Sequence, residues 1–253
     1  MEYLSPEGFR LDGRRAAEPR QVLCSVGTVG GCSGEADGHA TFQIGNTKAF
    51  AYVYGPMEAR QRGQSFHDKA ALSCTLATAA FSTPVRTART RGSDRLSTER
   101  ALSIQQALEK LLLLEMFPRS HIRVFIQVAQ VDGSSTAAAI NAATLALADA
   151  GLPMRDLLVA CTAGLLQGRP AVDLTREEEN AGGAQVLVAA FASTKKISLL
   201  EVESKVPAGQ FEPLFDASLQ GCCLLAEEMR RCLLEHATQH FSLRASCRST
   251  RKS

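Results

Sequence analysis

Three stretches of this sequence hold side chains that could do chemistry. The first is Asp132-Gly133-Ser134-Ser135-Thr136, which lies between an alternating apolar run and an alanine-rich one. A helix opening on glycine and hydroxyl residues presents unpaired N–H groups and a positive dipole end, a cradle for phosphate. Ser134, Ser135 and Thr136 could each donate a hydrogen bond there; the alternative is an ordinary helix cap. The second stretch carries Arg86, Arg89, Arg91 and Arg95, with Arg60 and Arg62 upstream. Clustered guanidinium groups neutralise backbone phosphates without reading bases. The alternative is a solvated loop, and the acidic neighbours are Asp94 and Glu99. The third is Asp173 followed by Glu177-Glu178-Glu179, carboxylates that could hold Mg²⁺ or move protons, or simply form a solvated helix start favoured by the dipole. His236 and His240 stand four apart on an expected helix and could share a metal, but with no third ligand in sequence they read as surface histidines. No Walker A loop, GxGxxG, nucleophile elbow or HExxH is present.

These stretches need elements to position them. Phe42 and Ile44 alternate before Gly45-Asn46, and Ala49, Ala51 and Val53 alternate after it, which predicts a hairpin over 40–54. A strand is expected over 72–78, then an exposed arginine-rich loop over 82–95. The period of Ala101, Ile104, Leu108, Leu111 and Leu112 predicts a helix over 97–116, with Pro118 beyond its end. Ile122, Val124, Ile126 and Val128 mark a strand leading into the 132–136 turn. An alanine-rich helix follows to Ala150, stopped by Gly151 and Pro153. Strands are expected over 157–166, 186–191 and 197–203. A long terminal helix carries Phe215, Leu219, Cys222, Ala226, Met229 and Leu233 on one face. The fold class is α+β, read as one domain over 1–243 with a basic, disordered tail over 244–253.

Composition narrows the function. The chain has 253 residues and is 45% hydrophobic, enough for a large core. With 28 Lys and Arg against 26 Asp and Glu, the formal charge is only +2, so nucleic-acid affinity must come from local clusters. No apolar run reaches the roughly 20 residues that span a bilayer, and the N-terminus is charged; a soluble intracellular protein with no membrane partner is expected. The eight cysteines form no CxxC pair and suit reduced core thiols.

Several separated segments resemble the RNase PH family: Gly8-Phe9-Arg10-Leu11-Asp12-Gly13-Arg14-Arg15, Gly45-Asn46-Thr47-Lys48, Val53-Tyr54-Gly55-Pro56, Asn141-Ala142-Ala143-Thr144-Leu145 and 148–156, in the family's order. Within the family they are similar to ring subunits of the eukaryotic RNA exosome. The resemblance implies an RNase PH-like (ribosomal protein S5 domain 2-like) fold with duplicated ββαβα-type halves. It also implies a hetero-hexameric ring of RNase PH-like subunits around a single-stranded RNA channel, with S1/KH cap subunits and a docked hydrolytic exoribonuclease. No cofactor is implied, and the expected locations are nucleus, nucleolus and cytoplasm.

Active family members carry Asp-Gly-Gly-Thr-Arg at 132–136, so their phosphate-binding arginine aligns with Thr136. Their two later aspartates align with Glu179 and Gln185. A hydroxyl lacks the fixed charge and fork of guanidinium, and a neutral amide is no general acid. On that alignment the chain is expected to be no enzyme but an inactive relic, with a degenerate site at Ser134, Ser135, Thr136, Glu179 and Gln185. RNA would be threaded by Arg60, Arg62, Arg86, Arg89, Arg91 and Arg95. The alternative is an active phosphate-dependent 3′-to-5′ exoribonuclease, with a lysine or arginine supplied by a neighbouring subunit.

Overall fold

A computed structural model describes residues 3–5, 7–27, 36–58, 66–86 and 95–250, excluding the side chains of 240 and 243–250. Alternation of apolar side chains builds the first sheet, of five strands: β1 (Val22–Val26), β2 (Gly38–Ile44), β3 (Thr47–Glu58), β4 (Ala71–Thr78) and β5 (Ser120–Gln130), ordered β1-β2-β3-β5-β4. The hairpin turns where expected, with Ile44 opposite Thr47 and Gly45 at φ +55°. The β4–β5 pair is parallel and the others antiparallel. The crossover between β4 and β5 is α1 (Arg95–Leu111), which buries Ala101, Ile104, Ala107, Leu108 and Leu111. This helix is shorter than the one expected over 97–116, and a 3₁₀ turn over Leu114–Met116 takes up the remainder.

The second sheet is antiparallel, ordered β7-β6-β8-β9, from β6 (Leu158–Leu166), β7 (Arg169–Val172), β8 (Gln185–Phe191) and β9 (Ile197–Val202). Between β7 and β8 stands the short α3 (Arg176–Asn180), and α4 (Ala208–Thr250) packs across β6, β7 and β8 and reaches β1. The backbone is helical to Thr250, so most of the expected tail over 244–253 continues α4.

Joining the two sheets is α2 (Ser135–Asp149), which contacts β2, β3 and β5 on one side and β6 and β8 on the other. Every residue from Ala137 to Leu147 is buried, which is why its apolar residues surround it instead of forming one stripe. Small residues permit close approach: a Cβ on Gly38 would lie 2.4 Å from the Ala146 carbonyl oxygen. The buried Asn141 amide closes a two-bond loop on β6, donating to Ala160 O at 2.9 Å and accepting its N–H at 2.7 Å. Among the described residues no helix is long and apolar enough to cross a membrane.

Candidate functional site

The N-terminus of α2 sits where the two sheets meet, and the hairpin tip fixes the turn that leads to it. Thr47 Oγ1 donates to Gly133 O at 2.7 Å and accepts the Asp132 N–H at 3.0 Å, while Asn46 Nδ2 donates to Asp132 Oδ2 at 3.0 Å. Gly133 has φ +81°, and a Cβ there would lie 2.3 Å from Leu174 O, so this position needs glycine. Ser134 follows at φ +54°, a left-handed conformation that costs a non-glycine residue about 1 kcal/mol or more. Its side chain makes no cap bond. The hydroxyl instead lies 2.9 Å from Asp173 Oδ1 and against Thr162 Oγ1, while its N–H donates to Glu179 Oε1 at 2.8 Å. Ser134 is therefore committed internally, contrary to the expectation that its hydroxyl faces an anion. Ser135 and Thr136, half-buried in the first turn of α2, remain with their N–H groups pointing out of the helix end.

Beneath the turn lies a staple of arginines and carboxylates from distant parts of the chain. Arg20 donates through Nε and Nη2 to the two Asp173 oxygens, at 2.8 and 2.7 Å, and its backbone N–H adds a bond of 2.9 Å. The same guanidinium reaches Asp132 O and Leu174 O, tying the two turns together. Arg10 forms a bidentate pair with Glu178 and also donates to Val172 O at 2.6 Å and Asp173 O at 2.8 Å. Burial works against the charge on Asp173 and on Glu178, but the hydrogen bonds and charge of Arg20 and Arg10 outweigh it and hold both carboxyls below their ordinary range. Asp173 and Glu178 are thus interior ion pairs and not Mg²⁺ ligands or acid–base groups; the glutamate run does open a helix, as expected, but of its three residues Glu177 alone is exposed.

Glu179 differs from its neighbour. It faces the α2 N-terminus, and burial pushes its carboxyl above the ordinary range, reinforced by Glu203 and opposed by the Ser134 N–H, Arg20 and Arg100. Gln185 stands beside it, donating through Nε2 to Glu179 O at 3.0 Å. The structure therefore brings together Ser134, Ser135, Glu179 and Gln185, with Thr136 on the same helix turn. Arg100, on α1, is a member of this neighbourhood that sequence reasoning missed. Arg10 and Arg20 were missed as well, although Thr175-x-x-Glu178, a capping box realised in α3, was readable as a helix start.

The basic segment begins beside this site, since the Val131 N–H donates to Ser82 O at 3.0 Å. Arg86 is exposed. Arg95 lies not in a loop but at the first position of α1, where its Nε meets Glu99 Oε1 at 3.0 Å. Arg60, Arg62, Arg89 and Arg91 lie outside the described residues. His236 corrects another expectation: it is half-buried against α2, with Nε2 3.9 Å from Asp149 Oδ1. Among the described residues no three His, Cys, Asp or Glu side chains cluster to hold a metal.

Comparison with known proteins gives this geometry a family. The chain matches the model of the 3′ exoribonuclease family, domain 1, over residues 18–153, and that of domain 2 over residues 156–232. It is 47% identical to an exosome complex component RRP41 homolog of Arabidopsis thaliana, covering 94% of this chain and 97% of that one. The Homo sapiens exosome complex component RRP41 is 40% identical, covering 94% and 96%. The Pyrococcus furiosus exosome complex component Rrp41 is 38% identical, covering 93% and 92%. Among solved structures, rice Rrp46 superposes with a TM-score of 0.75 at 23% identity, covering 87% of this chain and 98% of that one. An Archaeoglobus fulgidus exosome with RNA bound to the active site gives 0.73 at 21% identity, covering 88% and 93%. These two likenesses bear out the expected fold. They leave no ground for the expectation that the chain is no enzyme: both matching models are of 3′ exoribonucleases, and the similarity to Rrp41 extends over nearly the whole chain to archaeal members. The inactive relic expected from the residues at 136, 179 and 185 finds no support in these likenesses, and the chain belongs to the RNase PH 3′ exoribonuclease family.

Proposed function

We propose that this chain is a ring subunit of an RNA exosome, at the position of component four in the eukaryotic assembly, and that its α2 cleft takes part in phosphate-dependent 3′-to-5′ cleavage of single-stranded RNA. Glu179 carries the proposal, a carboxyl raised by burial at the mouth of an anion-binding helix end. Inorganic phosphate, held by the N–H groups of Ser135 and Thr136 and the Thr136 hydroxyl, attacks the phosphorus of the last phosphodiester bond. The bond from that phosphorus to the 3′-oxygen of the preceding nucleotide breaks. Glu179, its charge already disfavoured by burial, takes up a proton as the anionic phosphate and RNA enter and delivers it to that oxygen, and a nucleoside 5′-diphosphate leaves. The fixed charge that other family members supply from an arginine at 136 comes instead from Arg100 or from a cation of the adjoining subunit, an electrostatic role that can be filled in trans.

In this reading the ring is hetero-hexameric, capped by S1/KH subunits and coupled to a hydrolytic exoribonuclease, and works in nucleus, nucleolus and cytoplasm. Arg86 and Arg95, with Arg60, Arg62, Arg89 and Arg91, bind RNA phosphates, and replacing any one of them with a neutral residue lowers the slope of log affinity against log salt by about 0.7. The test is the reconstituted ring with single-stranded RNA and inorganic phosphate. Nucleoside diphosphate release that falls about 100-fold or more in Glu179→Gln is expected. A well-assembled wild-type ring that releases none overturns the catalytic part.

A further inference from the structure

The inner stripe of α4 runs through Cys222, Ala226, Met229 and Leu233, and Cys232 lies on it, packed against the main core. On β1, Val22, Cys24 and Val26 alternate towards the same core. The helix crosses β1 closely: beyond the strand, a Cβ on Gly27 would fall 2.4 Å from His236 Nε2, one turn along α4 from Cys232. That crossing puts the Cys24 and Cys232 side chains in hydrogen-bonding contact. Both are free thiols and both are partly accessible, unlike the buried Cys161 and Cys222.

We propose that Cys24 and Cys232 form a redox modification site, a thiol pair that a peroxide-class oxidant converts to a disulfide joining β1 to α4. The contact with Cys24 draws the Cys232 thiol below its ordinary range, opposed by burial and Glu235 and assisted by Arg231. Cys232, with Arg231 beside it in sequence, is the attacking sulfur. Its thiolate breaks the peroxide O–O bond and forms an S–O bond; the Cys232 sulfur gives up two electrons, and the departing oxygen takes a proton and leaves as water. The Cys24 sulfur then attacks the Cys232 sulfur, the S–O bond breaks, the Cys24 proton goes to the departing oxygen, and a second water is released. In sum, two thiols and one hydrogen peroxide give one disulfide and two waters.

The cross-link spans both family domains and closes a loop containing most of the chain, so it restricts the unfolded state far more than the folded one. The full-length chain is treated with hydrogen peroxide near neutral pH, blocked with an alkylating agent and mapped by mass spectrometry without reduction. The expected product is one cross-linked peptide pair, Cys24 with Cys232, two hydrogens lighter than the separate peptides and restored by dithiothreitol. The oxidised chain should also have a Tm higher by about 5 °C or more. In Cys24→Ser, dimedone should trap a sulfenic acid at Cys232. Recovery of Cys24 and Cys232 as separate alkylated thiols while the exposed Cys223 is oxidised overturns the proposal. So does a cross-link from either to Cys32, Cys247 or any other cysteine, or oxidation of Cys232 beyond sulfenic acid with Cys24 untouched.

Discussion

Glu178 and Glu179 are adjacent in sequence and opposite in physics. Glu178 turns inward, sealed from solvent and locked to Arg10, while Glu179 turns towards the α2 N-terminus with no arginine fork of its own. The same contrast separates the floor of the site, made of Arg10, Arg20, Asp173 and Glu178, from its lip, made of Thr136, Glu179 and Gln185. On the floor every charge has a partner with hydrogen-bond geometry. On the lip a carboxyl is held in a place that disfavours its charge. Charge buried with a partner fixes structure, whereas charge buried without one is available for proton transfer.

The sharpest way to break this contrast is Arg20→Ala, which leaves Asp173 buried and unpaired and unties the 132 and 173 turns. A loss of about 4 kcal/mol or more is expected in urea unfolding. Glu178→Gln leaves the Arg10 charge facing a neutral amide and should cost about 3 kcal/mol. The same change one residue on, Glu179→Gln, keeps an acceptor for the Ser134 N–H and removes a disfavoured charge, so stability at neutral pH should stay within about 0.5 kcal/mol of wild type or rise slightly. Equal losses at 178 and 179 would erase the distinction between floor and lip.

The pH dependence sharpens it further. Asp173 and Glu178 lie below their ordinary values of 3.8 and 4.5, so in that acidic window the unfolded chain binds more protons than the folded one. Their contribution is whole above those values and is lost as pH falls through the lowered ones. Glu179 lies above its ordinary 4.5, so its contribution has the opposite sign: it is whole below 4.5 and is lost as pH rises through the raised value. Urea unfolding from pH 3 to 7 should therefore show less acid sensitivity in Glu178→Gln, and a smaller decline above pH 4.5 in Glu179→Gln.

Local patterns in the sequence were legible and distant partnerships were not. The 45–46 turn, the alternation of β5 and the α2 boundaries follow from neighbours within a few residues, and the structure has them where expected. β1 is a short strand at the sheet's edge with weak alternation, and β7 contains Pro170, tolerated because that strand too is an edge. The pairing of Arg20 with Asp173 joins residues 153 apart, and no periodicity reports a contact of that range. Ser134 is the most instructive of the site residues. Its type promised a cap or an anion contact, but its hydroxyl turns inward onto Asp173 Oδ1, sharing that oxygen with Arg20 Nη2. At 136, 179 and 185, by contrast, alignment of residue types suggested a lost activity, while type alone says nothing of the burial that gives Glu179 its proton affinity.

The sealed position of α2 bears on how this chain can be made and divided. The boundary between the two family domains falls directly after that helix, yet each sheet covers only part of it. A ribosome that has released residues 1–153 has produced a helix with one bare apolar side, a surface suited to chaperones or to aggregation. The first domain is therefore no independent module: it cannot be cut from the gene and shuffled elsewhere unless another sheet arrives to close over the same helix.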